Sequence, residues 1–475
     1  MMHRPKTLRL DAIHFTKHQL VMRCSLDELR FQTVYWYPDT NLEDLEHRFG
    51  KSFLERLFVH AALFEINKIV SLRPQWLDLG PYAHHHTVAL ETLWTTVIHH
   101  VWAQWRFENN LPDEPAPQWM SEPSTNEVSA VTSDRSSSSV LLFCGGGKDS
   151  LVSMKLLERA QIPFASFAYT SSVYGRSRMQ QQLVDRLLDH GKPQKRHRQI
   201  VMDDFFDAPV LELLGPEAGV HTVTAAETPS SIFAALPILL AHGYSHAVLG
   251  HEASANRGNL IWSVTGEEVN HQWGKSLAAQ QLLNAYIRTQ LVSDLGVFGI
   301  LMPIFDVVIF ELLRMDETLI GDTHSCNVAK PWCQRCPKCA YVWLSYRAHL
   351  SREPVDALFS SDLLERPENR AFFQDMMGLG VHTPFECIGQ IEESRLALSL
   401  CGARGLLGPF GLDLLASLPA EPVPSVLDRY TSVAEDAAGI PLAFAELILP
   451  QMKRAAMQAR QRITNTLGQN HRGCR

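Results

Sequence analysis

The order of apolar and polar positions changes character three times along the chain. Residues 7–38 alternate in short runs, as in Leu8, Leu10, Ala12 and His14, and Thr33-Val34-Tyr35-Trp36-Tyr37 is dense in strand formers. Such period-two alternation predicts a small antiparallel sheet. Residues 52–70 and 88–108 switch to helical spacing, with Leu90, Leu93, Val97, Val101 and Trp105 on one stripe. An α+β N-terminal domain over residues 1–112 is therefore expected. The next stretch, 113–138, is rich in Pro, Ser, Glu and Thr and runs into Ser136-Ser137-Ser138-Ser139, a composition that predicts an exposed linker.

From Val140 onward, short apolar strands alternate with helices. Strands are expected at Val140–Cys144, Phe164–Tyr169, Arg198–Met202 and Ala247–Gly250. Helices are expected from about Asp149 to Arg159, at Arg178–Leu188 and Ser230–Ala241, and at 276–291 and 305–315. This is the grammar of an α/β domain, a parallel sheet with helices on both faces, spanning 139–352. A mainly helical C-terminal region follows over 353–475. The most apolar long stretch, Leu295 to Leu313, contains Pro303, Asp306 and Glu311, which predicts a buried core element rather than a membrane span.

Composition narrows the picture. A 475-residue chain with 45% hydrophobic and 20% charged residues reads as a soluble protein of two or three domains. Its net charge of −8 lacks the basic character of a general nucleic-acid binder. The stretch Met1 to Lys6 leads into no apolar run, so a secretory signal is not expected and the cytoplasm is the expected compartment. There, the nine cysteines should be thiols or metal ligands.

The chemistry begins at Cys144-Gly145-Gly146-Gly147-Lys148-Asp149-Ser150, after a strand and opening a helix. Small residues let the backbone fold around an anion, and a helix N-terminus presents unpaired N–H groups to it. Lys148 can add a charge and Ser150 a hydrogen bond. The loop is not a Walker loop, which needs Gly where Leu142 stands and Ser or Thr where Asp149 stands. Nor is it the dinucleotide fingerprint, which needs Gly at Ser150. Gly146, Gly147, Asp149 and Ser150 instead resemble the Ser-Gly-Gly-x-Asp-Ser signature of the PP-loop ATP pyrophosphatases, with Gly145 replacing the first Ser. That resemblance implies an adenine nucleotide alpha hydrolase-like fold and cleavage of ATP between its α and β phosphates. Asp149 is a candidate Mg²⁺ contact or a plain helix-capping residue.

Cys326, Cys333, Cys336 and Cys339 fall close together, a spacing suited to a four-thiolate structural zinc site with no open position, with free core cysteines or an iron–sulfur cluster as the alternatives. A similar late cluster occurs in the PP-loop enzymes that make the deazaguanine nitrile. The chain as a whole resembles the ATP-dependent epimerases of UDP-N-acetylmuramoyl-L-alanyl-L-glutamate. The residues that carry this are Gly145–Ser150, Gly250–Asn256, Glu268–Trp273, the cysteine cluster and Pro384–Gly389. The resemblance implies inversion of a terminal L-Glu to D-Glu through a carboxyl-adenylate, with AMP and diphosphate released. It also implies ATP, Mg²⁺ and structural Zn²⁺, a nucleotide-linked small-molecule substrate, and no nucleic-acid or membrane partner. A nitrile- or amide-forming adenylating synthase and a non-catalytic zinc-stabilised nucleotide sensor are the alternatives.

Candidate roles follow. Gly145, Gly146, Gly147, Lys148, Asp149 and Ser150 are expected to hold ATP. Cys387 and Glu386 are expected near the Cα proton, with His251 and Glu252 next in line at a strand C-terminus. For Cys387 simple packing, and for His251 an exposed turn, are the plain alternatives. Asn256 and Arg257 are candidate contacts for carboxylate or phosphate. Gly274-Lys275-Ser276 imitates a Walker ending and is read as a helix start. His84-His85-His86 is read as a surface turn, not a metal tract.

Overall fold

The computed structural model describes residues 5–124, 128–133, 139–172, 175–205, 208, 222–419, 422–434 and 439–470. Its strands are β1 Thr7–Thr16, β2 Gln19–Leu26, β3 Leu29–Trp36, β4 Trp76–Asp78, β5 Gln118–Trp119, β6 Val140–Phe143, β7 Phe164–Ser171, β8 Arg196–Asp203, β9 His246–Glu252, β10 Leu260–Ile261, β11 Glu268–Val269 and β12 Gly296–Leu301. Ten of them form one sheet in the order β12-β9-β6-β7-β8-β3-β2-β1-β4-β5, and β10 and β11 form a separate hairpin.

The half from β12 to β8 is parallel throughout. Strands β12, β9, β6 and β7 alternate between two apolar layers. Val140 and Leu142 of β6, Val248 of β9 and Phe298 of β12 face one layer. Leu141, Ala247 and Val297 face the other. Helices Lys148–Arg159, Asp306–Arg314, Pro337–His349, Ile391–Ala403 and Leu442–Asn470 cover the first face. Helices Lys51–Glu65, Val88–Glu108, Glu227–His242 and Leu277–Gln290 cover the second. Burial on both faces is what parallel strands require, and it explains their nearly continuous apolar runs.

Two expectations change. The N-terminal meander β1–β3 forms as expected, yet it is no sheet of its own. Thr33–Trp36 of β3 pair antiparallel with Ile200–Asp203 of β8. Both strands otherwise end in an unpaired edge, and joining them satisfies both rows of backbone groups. The stretch expected to be an exposed linker is anchored wherever it is described. Gln118–Trp119 extends the sheet beside β4, Trp119 stacks on His86 at 4.3 Å, and Ser133 donates its backbone N–H to Asp294 at 2.9 Å. Residues 125–127 and 134–138, including Ser136–Ser138, lie outside the described residues, as do Met1–Arg4. The apolar run Leu295–Leu313 is buried as expected but holds two elements, β12 and the helix Asp306–Arg314. No helix among the described residues is long and apolar enough to cross a membrane.

A candidate active site at the topological switch point

In the parallel half, the strand that comes first in the chain, β6, lies between β7 and β9, so the winding reverses between β6 and β9. Ligands of open α/β sheets gather at such a point, beyond the strand C-termini. The Gly145–Ser150 loop leaves β6 here, and His251 and Glu252 end β9 here.

The loop is shaped for close approach. Gly146 has φ +85, and a Cβ there would lie 2.0 Å from the His324 ring. His324 donates its backbone N–H to the Gly146 carbonyl at 2.8 Å. Ser150 Oγ accepts from the Gly146 N–H at 3.2 Å. The helix Lys148–Arg159 starts with no side-chain cap, so its first N–H groups face the loop as an anion cradle. Gly250 keeps the approach beside it close, since a Cβ there would crowd Asp149 Cβ at 3.3 Å.

Lys148 does not reach into the cradle. Its buried ammonium donates to Asp149 Oδ1 at 2.6 Å and to Asp306. Tyr341 donates its hydroxyl to the other Asp306 oxygen at 2.7 Å. Glu252 and Glu393 complete this buried cluster. Glu252 accepts from the Ser254 N–H at 2.6 Å, and Glu393 accepts from Ser254 Oγ at 3.1 Å and from the Gln390 N–H at 3.0 Å. Burial first, then the neighbouring Asp306, raise both carboxyls, Glu252 far above its usual range and Glu393 to about 7. Glu252 is thus a buried carboxyl biased toward its neutral form, and Ser254, which it holds, makes the link to Glu393 and Gln390. His251 is partly exposed beside Lys275; burial, then that lysine, push its imidazole down to about 3 and keep it neutral.

Lys275 connects the Pro384–Gly389 loop to the cradle, because its ammonium interacts with both Cys387 and Asp149. Asn259 donates to the Pro384 carbonyl at 3.0 Å, Gln272 to the Ile388 carbonyl at 3.2 Å, and Lys338 to the Cys387 carbonyl. At its centre, Lys275 Nζ lies 2.8 Å from Cys387 Sγ. Burial opposes ionisation of this thiol, but Lys275, His271 and Lys338 outweigh it and hold it well below its ordinary range. Cys387 is therefore biased toward its thiolate form, and it is still partly exposed to solvent. Glu386 shifts the other way: burial raises its carboxyl, against the pull of Lys338, and Asn327 donates to it at 3.1 Å. Replacing Lys275 by Met should move alkylation of the Cys387-bearing peptide by iodoacetamide to higher pH by about one to three units, the usual effect of an adjacent opposite charge. An unchanged pH profile would remove Lys275 from this role.

The cysteine cluster closes the same side. Sγ of Cys326 lies 3.9 Å from that of Cys336, and Sγ of Cys333 lies 3.8 Å from that of Cys339. A tetrahedral zinc with Zn–S bonds of about 2.3 Å sets its sulfurs about 3.8 Å apart. Backbone N–H groups of Val328, Ala329, Arg335 and Cys339 point at the sulfurs from 3.3–3.4 Å, as thiolate ligands require. The four residues thus fit such an ion. Two other groups among the described residues bring ligand atoms together: Asp39, His197 and His242, and Glu55 with His84 and His85. The His84–His86 stretch thus differs from the plain turn expected. His84 and His85 converge on one Glu55 oxygen at 2.9 Å each, while His86 is buried.

All the predicted site stretches converge, except that the amide of Asn256 is spent on Ala253 and on the Leu277 N–H, and Arg257 lies over the Phe305 ring. Sequence reasoning missed His271, Lys338 and Asp306 as site groups and took Lys275 only for the helix start it also provides, with Ser276 capping Leu277–Gln290. Their positions four apart, at 271 and 275, were the available signal. Gln104, Phe107 and His100 of the helix Val88–Glu108 also reach this wall, touching His271, Phe385 and Trp273, and nothing in the sequence marked them.

Residues 79–190 and 220–300 match the family model described as the MurL N-terminal domain, and residues 322–405 match that of the MurL C-terminal domain. The chain belongs to the MurL family. The glycine loop lies in the first matched region, and the cysteines and Cys387 lie in the second. Three relatives carry the name UDP-N-acetyl-alpha-D-muramoyl-L-alanyl-L-glutamate epimerase. The one from a Micromonospora species is 31% identical over 307 residues, 63% of this chain and 64% of the relative. That from Salinispora tropica is 30% identical over 54% of each chain, and that from Xanthomonas oryzae pv. oryzae is 28% identical over 56% of this chain and 57% of the relative. The similarity thus spans less than two thirds of the length of each. No solved structure matches the chain.

Proposed function

We propose that this protein is an ATP-dependent cytoplasmic epimerase that inverts the terminal L-Glu of UDP-N-acetylmuramoyl-L-alanyl-L-glutamate through a carboxyl-adenylate, releasing AMP and diphosphate. The names of the relatives support the substrate. The observation that carries the reading is the convergence of an uncapped anion cradle with the Cys387–Lys275 pair and the raised carboxyl of Glu386.

The chemistry requires both halves. An ionised carboxylate suppresses the acidity of its own Cα–H, because deprotonation would set two negative charges side by side. Adenylation removes that charge and makes the carbonyl electron-withdrawing. The Gly145–Ser150 loop and the helix N–H groups would hold the nucleotide's phosphates, and Asp149, partly exposed at the loop, would hold Mg²⁺. Lys148 would contribute its charge to a phosphate only by leaving Asp306. A base on the Pro384–Gly389 loop then takes the Cα proton, and return to the opposite face inverts the centre. Glu386, made more basic by its burial, is suited to that transfer, with Cys387 beside it. The four cysteines would hold a structural zinc that fixes Asn327 and Lys338 around this loop.

In D₂O with ATP, Mg²⁺ and the UDP-muramoyl dipeptide, AMP and pyrophosphate should form together with deuterium at the glutamate Cα. Substrate-dependent ADP, or AMP without Cα deuterium, would count against the proposal.

A further inference from the structure

Cys387 is held by more than Lys275. His271 is the second group that lowers its thiol, and the helix Val88–Glu108 fixes how that ring is used. Gln104 donates its side-chain N–H to the Glu108 carboxylate at 2.8 Å, which orients the amide. Its oxygen then faces His271 Nδ1 at 2.7 Å, and an oxygen there requires a proton on Nδ1. With Nδ1 taken by Gln104, Nε2 is the nitrogen left for Cys387. The His271 backbone is itself pinned by Asn259 at 3.0 Å. A thiolate, a histidine base and an amide that orients the base form the constellation of nucleophilic catalysis, here with an added ammonium.

We propose that Cys387 is a nucleophile that takes the adenylated α-carboxyl of the substrate onto its sulfur, so that the glutamyl Cα is inverted as an enzyme thioester. This rests on the adenylating reading above and deepens it. The Cys387 thiolate attacks the acyl carbon of the adenylate, a C–S bond forms, and the C–O bond to AMP breaks, AMP leaving with the electron pair. No proton moves in that step. Glu386 then takes the Cα proton and releases it to solvent, and a solvent proton adds to the opposite face. Water attacks the thioester carbonyl, His271 Nε2 takes the proton of that water, and the thiolate leaves toward the Lys275 ammonium.

The ion pair with Lys275 is what separates this role from that of a base. Pairing with an ammonium weakens a thiolate's affinity for protons in full, but its nucleophilicity falls with a Brønsted coefficient of only about 0.4–0.5. The same pairing makes it a better leaving group in the final hydrolysis. Sulfur also donates weakly into a carbonyl, so the thioester keeps the Cα–H acidic. The covalent bond meanwhile prevents loss of the activated acyl group.

The test uses the full-length protein, ATP, Mg²⁺ and the UDP-muramoyl dipeptide. Acid-quenched wild-type protein should carry substrate minus water on the Cys387 peptide, released by neutral hydroxylamine. Cys387→Ala and Cys387→Ser, each first checked for native circular dichroism and metal content, should retain substrate-dependent ATP–pyrophosphate exchange within a few fold. In both, AMP release and Cα deuteration should fall about a thousandfold or more, as when a nucleophile is removed. AMP release by Cys387→Ala near the wild-type rate would overturn the proposal, whether or not an adduct had been seen, and would leave Cys387 as a base. Absence of substrate-dependent AMP from the wild-type protein would sink the adenylating reading, and this one with it.

Discussion

Cys336→Ser should yield a protein that neither retains metal nor folds, rather than a folded enzyme with weakened chemistry. Cys336 is 4% exposed and lies at two junctions at once. Its sulfur belongs to the four-thiolate group, and it also caps the helix Pro337–His349 by accepting from the Cys339 N–H at 3.4 Å. That helix is buried along most of its length, and Tyr341 on it reaches the Asp306 cluster under the glycine loop. Structural zinc contributes on the order of 10 kcal/mol or more where folding and binding are coupled. A whole domain is stable by only about 5–15 kcal/mol. Loss of one ligand should therefore appear as aggregation or a non-cooperative melt, and wild-type protein treated with a strong chelator should follow it. Elemental analysis should give one zinc per wild-type chain. A soluble Cys336→Ser protein with an unchanged melt, or iron with visible absorption in the wild type, would reject the structural zinc.

Glu386→Gln should be the opposite kind of variant, intact in fold and metal but stripped of proton transfer. The substitution keeps the shape and the hydrogen bond with Asn327 and removes only the basic oxygen. Losing a positioned base costs about a hundred- to ten-thousandfold in rate. Cα deuteration should fall by that factor, while ATP–pyrophosphate exchange continues because adenylation comes first. The pH profile carries a second sign. The Glu386 carboxyl is raised by burial, so the wild-type exchange rate should fall as pH drops through that raised value, and Glu386→Gln should lack this limb. Normal exchange in the variant would move the base elsewhere, and His251, neutral throughout the working range, would be examined next.

Local patterns in the chain carried most of the elements and the identity of the loops. The alternation of 7–38, the stripe from Leu90 to Trp105 and the strand–loop–helix at Val140–Arg159 each have a period that a short segment shows by itself. β12 was hidden because a strand covered on both faces, followed at once by the apolar helix Asp306–Arg314, has no period to distinguish it from one long core element. β4, β5 and the β10–β11 hairpin are two or three residues long, below the length at which any pattern is visible.

What the sequence determined by itself was the kind of chemistry: a glycine loop of the wrong spacing for a Walker site, four cysteines at ligand spacing, and a Cys–Glu pair between Pro384 and Gly389. Only the tertiary structure decided what those groups are. It joined β3 to β8 across more than 150 residues of chain, because strand alternation says which face is covered but not which edge is paired. It set Lys275 against Cys387, pulling the thiol toward its ionised form, and it buried Glu252 beside other acids, which raises its carboxyl. It drew Lys148 away from the anion cradle onto Asp306, and it brought Gln104 from the N-terminal half to orient His271. Charge state, tautomer and basicity depend on the field and the solvent around a group, and neighbours distant in the chain make that field.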